Sequence, residues 1–261
     1  MKFMIAVDCE GAACVVGQPG CSLSRSQNMV FASEQVTRET NAAIRALYYS
    51  GATQVVVWDN HGDGANLIFD QLDKRCEVLL GCGFERRFPE LDETYAGVLM
   101  IGYHAMAGTV NGVLAHTYSS NAYHAIRVNG QDVGEIALDA AVAGEFGVPL
   151  IFVSSDDKCC AEALRFMPWV ETVVTKNGLG LNCARSNHPA VVTEEIYTTV
   201  LQAVDRIAQK QIFTFPPPVD IELHFKKVSQ MLKARIKRPG WSISGIKTLR
   251  ASLQDMSGWQ C

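Results

Sequence analysis

Long hydrophobic runs are missing from this sequence of 261 residues. Nowhere do about 18 apolar residues follow one another, so we expect no membrane-spanning helix. The apolar run at the amino terminus ends at Asp8, which is too short and too soon acidic for a signal peptide. A basic run with interleaved aromatic residues is also missing, and the formal net charge is −4. We therefore expect neither nucleic-acid nor membrane binding.

The sequence also lacks any CxxC pair, although it contains nine cysteines. An odd number of scattered cysteines is typical of reduced thiols, several of them buried, in a cytoplasmic protein. Hydrophobic residues make up 48% of the chain, which is enough for a sizeable core. The length fits one large domain, or one domain with a small addition.

The order of the predicted elements indicates an α/β fold. A buried strand at 2–7, a helix over about 30–49 and a strand at 53–58 form a unit whose long crossover implies parallel pairing. Further elements are predicted along the chain: strands at 77–80, 96–102 and 150–153, a hairpin around Asn129-Gly130, and helices at 135–146 and about 193–210. We predict a three-layer α/β/α architecture with a mainly parallel central sheet.

The run Pro216-Pro217-Pro218 marks a predicted boundary near the end of the chain. Beyond it, residues 219–225 alternate as a strand, residues 227–236 fit a helix and residues 242–249 fit another strand. We predict a small α+β appendage over 212–261 that contributes to pocket or oligomer contacts. It would follow an α/β metal-binding catalytic domain over 1–211.

Three predicted strands are each followed by residue types that bind metals. Asp8 and Glu10 follow the first strand, His61 follows the second and His104 follows the 96–102 strand. Because ligands in open α/β sheets bind outside the carboxyl ends of the strands, these side chains are expected at one edge of the sheet.

Each of these residues has an ordinary structural explanation when it is taken alone. Asp8 could cap a loop and Glu10 could be solvated, while His61 could be a turn residue and His104 a core histidine. Asp59 could orient His61 or merely cap its loop. Taken together, two carboxylates at i and i+2 need a cation between them, and the mixture of oxygen and imidazole ligands suits Zn²⁺, with Mn²⁺ or Co²⁺ as alternatives.

Two further residues extend the predicted site. Glu135 opens a helix, where it complements the helix dipole or faces inward as a fifth ligand. Five ligands with three carboxylates fit two metals bridged by a carboxylate, as in binuclear hydrolases. His116 follows a short apolar run, and it could be a sixth ligand, a general acid or base, an oxyanion donor or a plain loop histidine.

Five short motifs follow one another in a specific order: Asp8-Cys9-Glu10-Gly11, Asp59-Asn60-His61, Gly102-Tyr103-His104-Ala105, the Gly112-to-His116 segment and Val133-Gly134-Glu135. In order and spacing they resemble the zinc-dependent D-aminopeptidases of the DppA type. The similarity covers most of the first 210 residues, and the tail beyond Pro216 matches only loosely.

The resemblance implies a binuclear zinc centre held by Asp8, Glu10, His61, His104 and Glu135, with His116 as a catalytic residue. It also implies a ring-like homo-oligomer of about ten subunits, built as two stacked pentamers with active sites facing an internal channel. The implied substrates are short peptides with an amino-terminal D-residue, particularly D-alanine.

The sequence departs from the family pattern in the cysteine- and serine-bearing loop from Ala12 to Gln27 and in its short carboxy-terminal region. Both regions could shape the substrate pocket, so they bear on the D-alanyl preference and leave the metal site intact. A non-peptidase amidase with the same dizinc centre is an alternative, because the sequence does not place the pocket walls, and a metal-binding protein without turnover is a further one. Lys176 and Arg185 are candidates for contact with a substrate carboxylate, although solvated lysines and arginines are far commoner.

Overall fold

A computed structural model describes residues 1–260. The central sheet contains seven strands: β1 (Lys2–Val7), β2 (Gln54–Asp59), β3 (Glu77–Leu79), β4 (Tyr95–Ile101), β7 (Leu150–Asp156), β8 (Glu171–Gly180) and β9 (Cys183–Ser186). Their spatial order is β3-β2-β1-β4-β7-β8-β9. All neighbours pair in parallel except β8 and β9, which are antiparallel.

A second, antiparallel sheet contains five strands: β5 (Tyr123–Val128), β6 (Gln131–Val133), β10 (Val219–Phe225), β11 (Ser242–Gly245) and β12 (Thr248–Leu253). Their order is β11-β12-β10-β5-β6. Strand β10 pairs with β5 on one side and with β12 on the other. The tail therefore completes a sheet that the β5–β6 hairpin begins.

The five α-helices have clear local stop and start signals: α1 (Asn28–Tyr49), α2 (Glu135–Glu145), α3 (Asp157–Phe166), α4 (Pro189–Asp205) and α5 (Val228–Lys237). Gly51, with φ of 87°, takes the left-handed conformation just after α1. Asp156 caps α3 by accepting the Cys159 N–H at 2.8 Å, and Pro189 occupies the first turn of α4. Within residues 1–260, every helix falls short of the length or the apolar character that a bilayer-spanning helix requires.

Two apolar cores lie on the two faces of the central sheet. Helices α1 and α4 pack on one face, where Val36 and Ile196 are fully buried against strand residues such as Ile5. Helix α2 and the second sheet cover the other face, where Met100 and Ile136 are fully buried. The helices and the second sheet thus enclose the central sheet from both sides.

The predicted α/β fold with a mainly parallel sheet is confirmed. Strand 242–249 of the prediction is in fact a hairpin of β11 and β12, and the β8–β9 pair was not predicted. Both differences concern short segments of mixed polarity that form hairpins with the adjacent strand, β9 with β8 and β11 with β12. They are strands because β8 and β12 in turn pair with β7 and β10 of the two sheets. The division at 211/212 stays a prediction, and the second sheet joins strands from both of its sides.

Candidate metal centre

The central position of β1 determines where the site lies. Strand β1 has β2 on one side and β4 on the other. The chain adds β2 and β3 on the first side of β1 and then β4, β7, β8 and β9 on the second, so the strand order reverses at β1. Such a reversal leaves a crevice at the carboxyl ends of the two strands. Asp8, His61 and His104 leave β1, β2 and β4 within a few residues of those ends. The prediction that one sheet edge collects these residues is therefore matched by the strand order.

Two glycines allow the loops that carry the ligands to cross at close range. A Cβ atom on Gly11 would lie 1.9 Å from the Tyr103 carbonyl oxygen. Gly102 has φ of 73°, and a Cβ there would lie 2.0 Å from the Asp8 carbonyl oxygen. The Gly11 N–H donates to the Gly102 carbonyl at 2.7 Å. Any side chain at either position would push the Asp8 loop away from the His104 loop.

The five predicted ligands are buried and meet in one cluster. His104 Nε2 lies 3.1 Å from Glu135 Oε1 and 3.4 Å from Asp8 Oδ2. His61 Nε2 lies 3.3 Å from Glu10 Oε1. Ligand atoms of Asp8, Glu10 and His104 all lie within 4.8 Å of one another, and so do those of His104, His116 and Glu135. His104 belongs to both groups and therefore joins them.

An orphaned carboxylate oxygen indicates that the cluster fits divalent cations. Glu10 Oε2 is buried and has no hydrogen-bond partner among the described residues. Burying an unpaired carboxylate oxygen is costly, and a cation removes that cost. Three carboxylates and three imidazoles within bonding reach of each other form a donor set that suits Zn²⁺, Mn²⁺ or Co²⁺.

The pKa values of these groups show how closely the charges are packed. Burial raises the pKa of Asp8 well above its usual value, and the Glu10 carboxylate adds to this increase. Burial lowers the pKa of His104, but the carboxylates of Glu135 and Asp8 outweigh it and raise that pKa to about 10. Burial likewise opposes ionisation of Glu135, yet His104 holds its pKa at about 2. Positive charge inside the cluster, on an imidazole or a cation, therefore stabilises the ionised carboxylates.

Glu135 is held in place by a hydrogen bond to its carboxylate and by a hydrogen bond made by the residue before it. It is the first residue of α2, and its Oε1 accepts the Tyr118 N–H at 2.6 Å. The preceding residue, Gly134, donates its N–H to Glu162 Oε1 at 3.0 Å. A Cβ on Gly134 would lie 2.3 Å from that oxygen and 2.8 Å from Met106 Cβ, so a larger residue would displace the Glu162 side chain. The start of α2 therefore presents Glu135 to His104 with little freedom.

His116 lies in a loop with unusual backbone geometry. Leu114 and Tyr118 on either side of it have φ of 52° and 53°, values that non-glycine residues adopt rarely and that cluster at functional sites. The His116 ring stacks on the His104 ring with centroids 3.8 Å apart and planes at 14°. Its Nδ1 lies 2.8 Å from the Leu114 carbonyl oxygen, which makes Nδ1 the donor and leaves the lone pair on Nε2. Burial and the neighbouring His104 lower the pKa of His116, so the ring is neutral at pH 7.

His61 is oriented through Asn66, a residue that the sequence did not single out. Asn66 Oδ1 lies 3.0 Å from His61 Nδ1, and Asn66 Nδ2 donates to Asp59 Oδ1 at 2.9 Å. Asp59 Oδ2 also accepts the backbone N–H groups of Asn66 and Leu67 at 2.6 and 2.9 Å. Asp59 therefore caps the loop directly and contacts His61 indirectly, through the Asn66 amide. Asn66 lies five residues after His61, and nothing in the sequence indicates that the two side chains meet.

Replacing Asn66 with alanine is expected to lower metal affinity or activity roughly 10–100-fold, as loss of such an orienting partner typically does. Titration of the metal-free protein with Zn²⁺ measures this effect. Asn41→Ala is the matched control, because the Asn41 amide binds only the backbone of Gln71 and Asp73. Equal zinc affinity in the two variants would show that Asn66 does not orient His61.

Lys176 lies beneath the Asp8–Glu10 loop rather than in an open pocket. Its side chain is fully buried, and its Nζ donates to the carbonyls of Glu10, Ala12 and Val15 at 2.6, 2.6 and 2.7 Å. These bonds use all three of its N–H groups. The predicted contact with a substrate carboxylate therefore has no donor left for it, and the geometry gives Lys176 a supporting role. Arg185 lies exposed on β9, at the far edge of the sheet.

Lys176→Met is expected to lower the free energy of unfolding by at least about 3 kcal/mol, since three buried hydrogen bonds of about 1 kcal/mol or more are lost. Calorimetry of the metal-loaded protein measures this change. Lys158→Met is the control, because Lys158 pairs with the neighbouring Asp157 at the surface and its loss should leave the stability nearly unchanged. An unchanged stability, with activity lost only on substrates that carry a free carboxylate, would favour the predicted substrate contact instead.

A buried polar network ties the site to the end of the chain. Asp139, one turn beyond Glu135 on α2, accepts bonds from Arg87 Nε at 2.9 Å, from the Tyr103 hydroxyl at 2.8 Å and from the Tyr118 hydroxyl at 3.0 Å. Trp259 donates its indole N–H to the Tyr118 hydroxyl at 2.9 Å. Tyr103 precedes His104, and Tyr118 binds Glu135 through its backbone. The network therefore fixes the neighbours of two ligands and anchors the C-terminal segment.

Comparison with known proteins agrees with this geometry. The profile of the D-aminopeptidase family, Peptidase M55, matches residues 1–259. A D-aminopeptidase of Bacillus subtilis strain 168 is 29% identical over 260 residues, which cover 98% of this chain and 93% of that protein. The solved structure of the Zn-dependent D-aminopeptidase DppA from Bacillus subtilis, described as a self-compartmentalizing protease, superposes with a TM-score of 0.90. It is 28% identical, and the match covers 99% of this chain and 93% of that one. The chain therefore belongs to the D-aminopeptidase family.

Proposed function

We propose that this protein is a binuclear metal-dependent aminopeptidase that releases N-terminal D-amino acids, such as D-alanine, from short peptides or amides. Two zinc ions per subunit would be held by Asp8, Glu10, His61, His104 and Glu135, with Mn²⁺ or Co²⁺ as alternatives. The observation that carries this proposal is the pair of buried ligand groups that share His104, next to the orphaned Glu10 oxygen. Such ions polarise a carbonyl and lower the pKa of a water toward neutrality.

His116 is the proposed catalytic residue beside these ligands. It is neutral at pH 7 because burial and His104 lower its pKa, and its Nε2 carries the lone pair. In that state it can accept a proton and pass it to the leaving amine, or, once protonated, donate to the oxyanion of the tetrahedral intermediate. The stack on His104 and the two left-handed residues beside it hold the ring in one orientation, so proton transfer needs no rearrangement.

Self-association and a cytoplasmic location complete the proposal. Compartmentalisation requires several copies, and we propose a homo-oligomer of about ten subunits, on the strength of the solved relative described as self-compartmentalizing. The eight cysteines among residues 1–260 are all free, which suits a reducing compartment.

Metal analysis combined with matched stereoisomeric substrates tests the proposed activity. About two divalent ions per chain are expected, and the metal-loaded enzyme should hydrolyse D-alanyl amides and D-alanyl dipeptides far faster than their L-isomers. A strong chelator should abolish turnover, and Zn²⁺ should restore it. Hydrolysis of only non-aminoacyl amides would favour the amidase alternative, whereas activity that survives complete metal removal would refute the mechanism.

A further inference from the structure

The C-terminal part of the chain has a charge opposite to that of the rest. Residues 223–254 contain eight lysines and arginines and no acidic residue. The remaining 15 lysines and arginines share the rest of the sequence with all 27 acidic residues. In the part of the chain that the structure describes, Arg250 alone among those eight forms an ion pair, with Asp220 at 3.0 Å. Lys226, Arg235 and Arg238 donate to backbone carbonyls. The charges of the seven other than Arg250 are not neutralised by a carboxylate within residues 1–260, so the region keeps a positive excess.

The same region exposes a stripe of apolar side chains. Val228, Leu232 and Ile236 lie four residues apart on α5 and are 40%, 48% and 81% exposed, while the neighbouring Met231 is buried. Ile243 and Ile246, in β11 and the turn after it, are 54% and 83% exposed. We call α5 and β11 together the basic face. An exposed apolar patch rimmed by charge marks an interaction surface.

The opposite combination occurs in the segment 63–93, which contains the edge strand β3 of the central sheet and runs almost to the start of β4. Residues 63–93 contain eight acidic and four basic residues, and one of the basic ones, Arg87, is paired with Asp139. Six of the acidic side chains are exposed: Asp63, Asp70, Glu77, Glu85, Glu90 and Glu93. Three apolar side chains lie exposed among them, Phe69 at 39%, Leu80 at 53% and Phe84 at 37%. We call this surface the acidic edge.

We propose that the basic face of one copy of this chain docks on the acidic edge of a second copy. The inference rests on the self-association in the proposed function and identifies the surfaces that carry it. Each surface combines exposed apolar side chains with an excess of one sign of charge, and the two excesses are complementary. A nucleic acid or an anionic membrane could use the basic face but would leave the acidic edge unexplained. Since the two surfaces differ, every copy can offer one to each of two neighbours, which is how rings form.

Reversal of charge on each surface, alone and together, tests this pairing. Lys233→Glu with Lys237→Glu reverses α5, where both lysines are exposed, and glutamate keeps the helix propensity. Asp70→Lys with Glu77→Lys reverses the acidic edge. Sedimentation velocity should show an assembly for the wild type and a shift to smaller species for each pair. The chain that carries all four changes should recover the assembly, since both signs are then exchanged.

Arg185→Glu with Arg165→Glu is the matched control, because these exposed arginines of β9 and α3 lie outside both surfaces. The control should keep the wild-type assembly, and circular dichroism should show that every variant is folded. The proposal is overturned when either surface pair leaves the sedimentation unchanged, or when the fourfold variant does not recover the assembly.

The alternative occupants are tested with the same proteins. The assembled wild type is tested for cosedimentation with vesicles of phosphatidylcholine and phosphatidylserine and for binding to single-stranded RNA. The choice of occupant is overturned when either probe binds and Lys233→Glu with Lys237→Glu abolishes that binding without altering the assembly. The hydrolysis assay is separate, so loss of the proposed activity and loss of the proposed contact are distinguished.

Discussion

His104→Ala is expected to lower kcat/KM by far more than the roughly 100-fold that loss of an orienting partner costs, and to remove more bound metal than any other single ligand change. The reason is geometric. His104 Nε2 lies within 3.4 Å of both Asp8 and Glu135, and His104 is common to the two ligand groups. His61, in contrast, approaches Glu10 alone among the carboxylates. Metal analysis by mass spectrometry and steady-state kinetics measure the two effects.

His124→Ala is the control for this prediction, because His124 is exposed on β5 and lies outside both ligand groups. It should keep normal metal content and activity. Removal of a buried histidine also leaves Asp8 and Glu135 facing each other without a compensating charge, so His104→Ala should lower thermal stability as well. A His104→Ala protein that retains two metals per chain would contradict the proposed ligand set.

His116→Ala is expected to reduce kcat roughly 10²–10⁴-fold while metal content stays near normal, as loss of a general acid or base typically does. The physical basis is the neutral ring with its lone pair on Nε2, held by the Leu114 carbonyl and the His104 stack. Kinetics and metal analysis on the same preparation separate this role from a ligand role.

Two other outcomes for His116→Ala are informative. Because His116 also lies within 4.8 Å of His104 and Glu135 ligand atoms, loss of metal would make it a ligand. Unchanged kcat with unchanged metal would make it a bystander. Substrates with better leaving groups add a further check, since a variant that lacks its proton donor should lose least on a substrate whose leaving amine needs no protonation.

Much of the site was predictable because its residues follow local rules. Asp8, His61 and His104 come directly after apolar runs that read as parallel strands, and the carboxyl ends of such strands meet at one edge. Glu135 and His116 were placed by the order of motifs. Asn66 and Asp139 were not predicted, since a polar residue in a loop and an acidic residue in a helix carry no local sign of the side chain they will reach.

The buried position of Lys176 could not be predicted from the sequence. A lysine near the end of an α/β region reads as a solvated residue or a substrate contact, yet this one is fully buried beneath three carbonyls. Its partners lie more than 160 residues earlier in the chain. Only the pairing of β8 with β7, and of β7 with β4, brings it beneath the β1 loop.

The sequence by itself determined the fold class, the edge of the sheet that carries the candidate site and the residue types gathered there, because strand periodicity and the residues after each strand are local properties. The tertiary structure alone decided that His104 joins two ligand groups, that Asn66 orients His61 and that the tail completes the sheet begun by β5 and β6. These features depend on distances between residues far apart in the chain, and such distances are set only when the two cores pack on the two faces of the sheet.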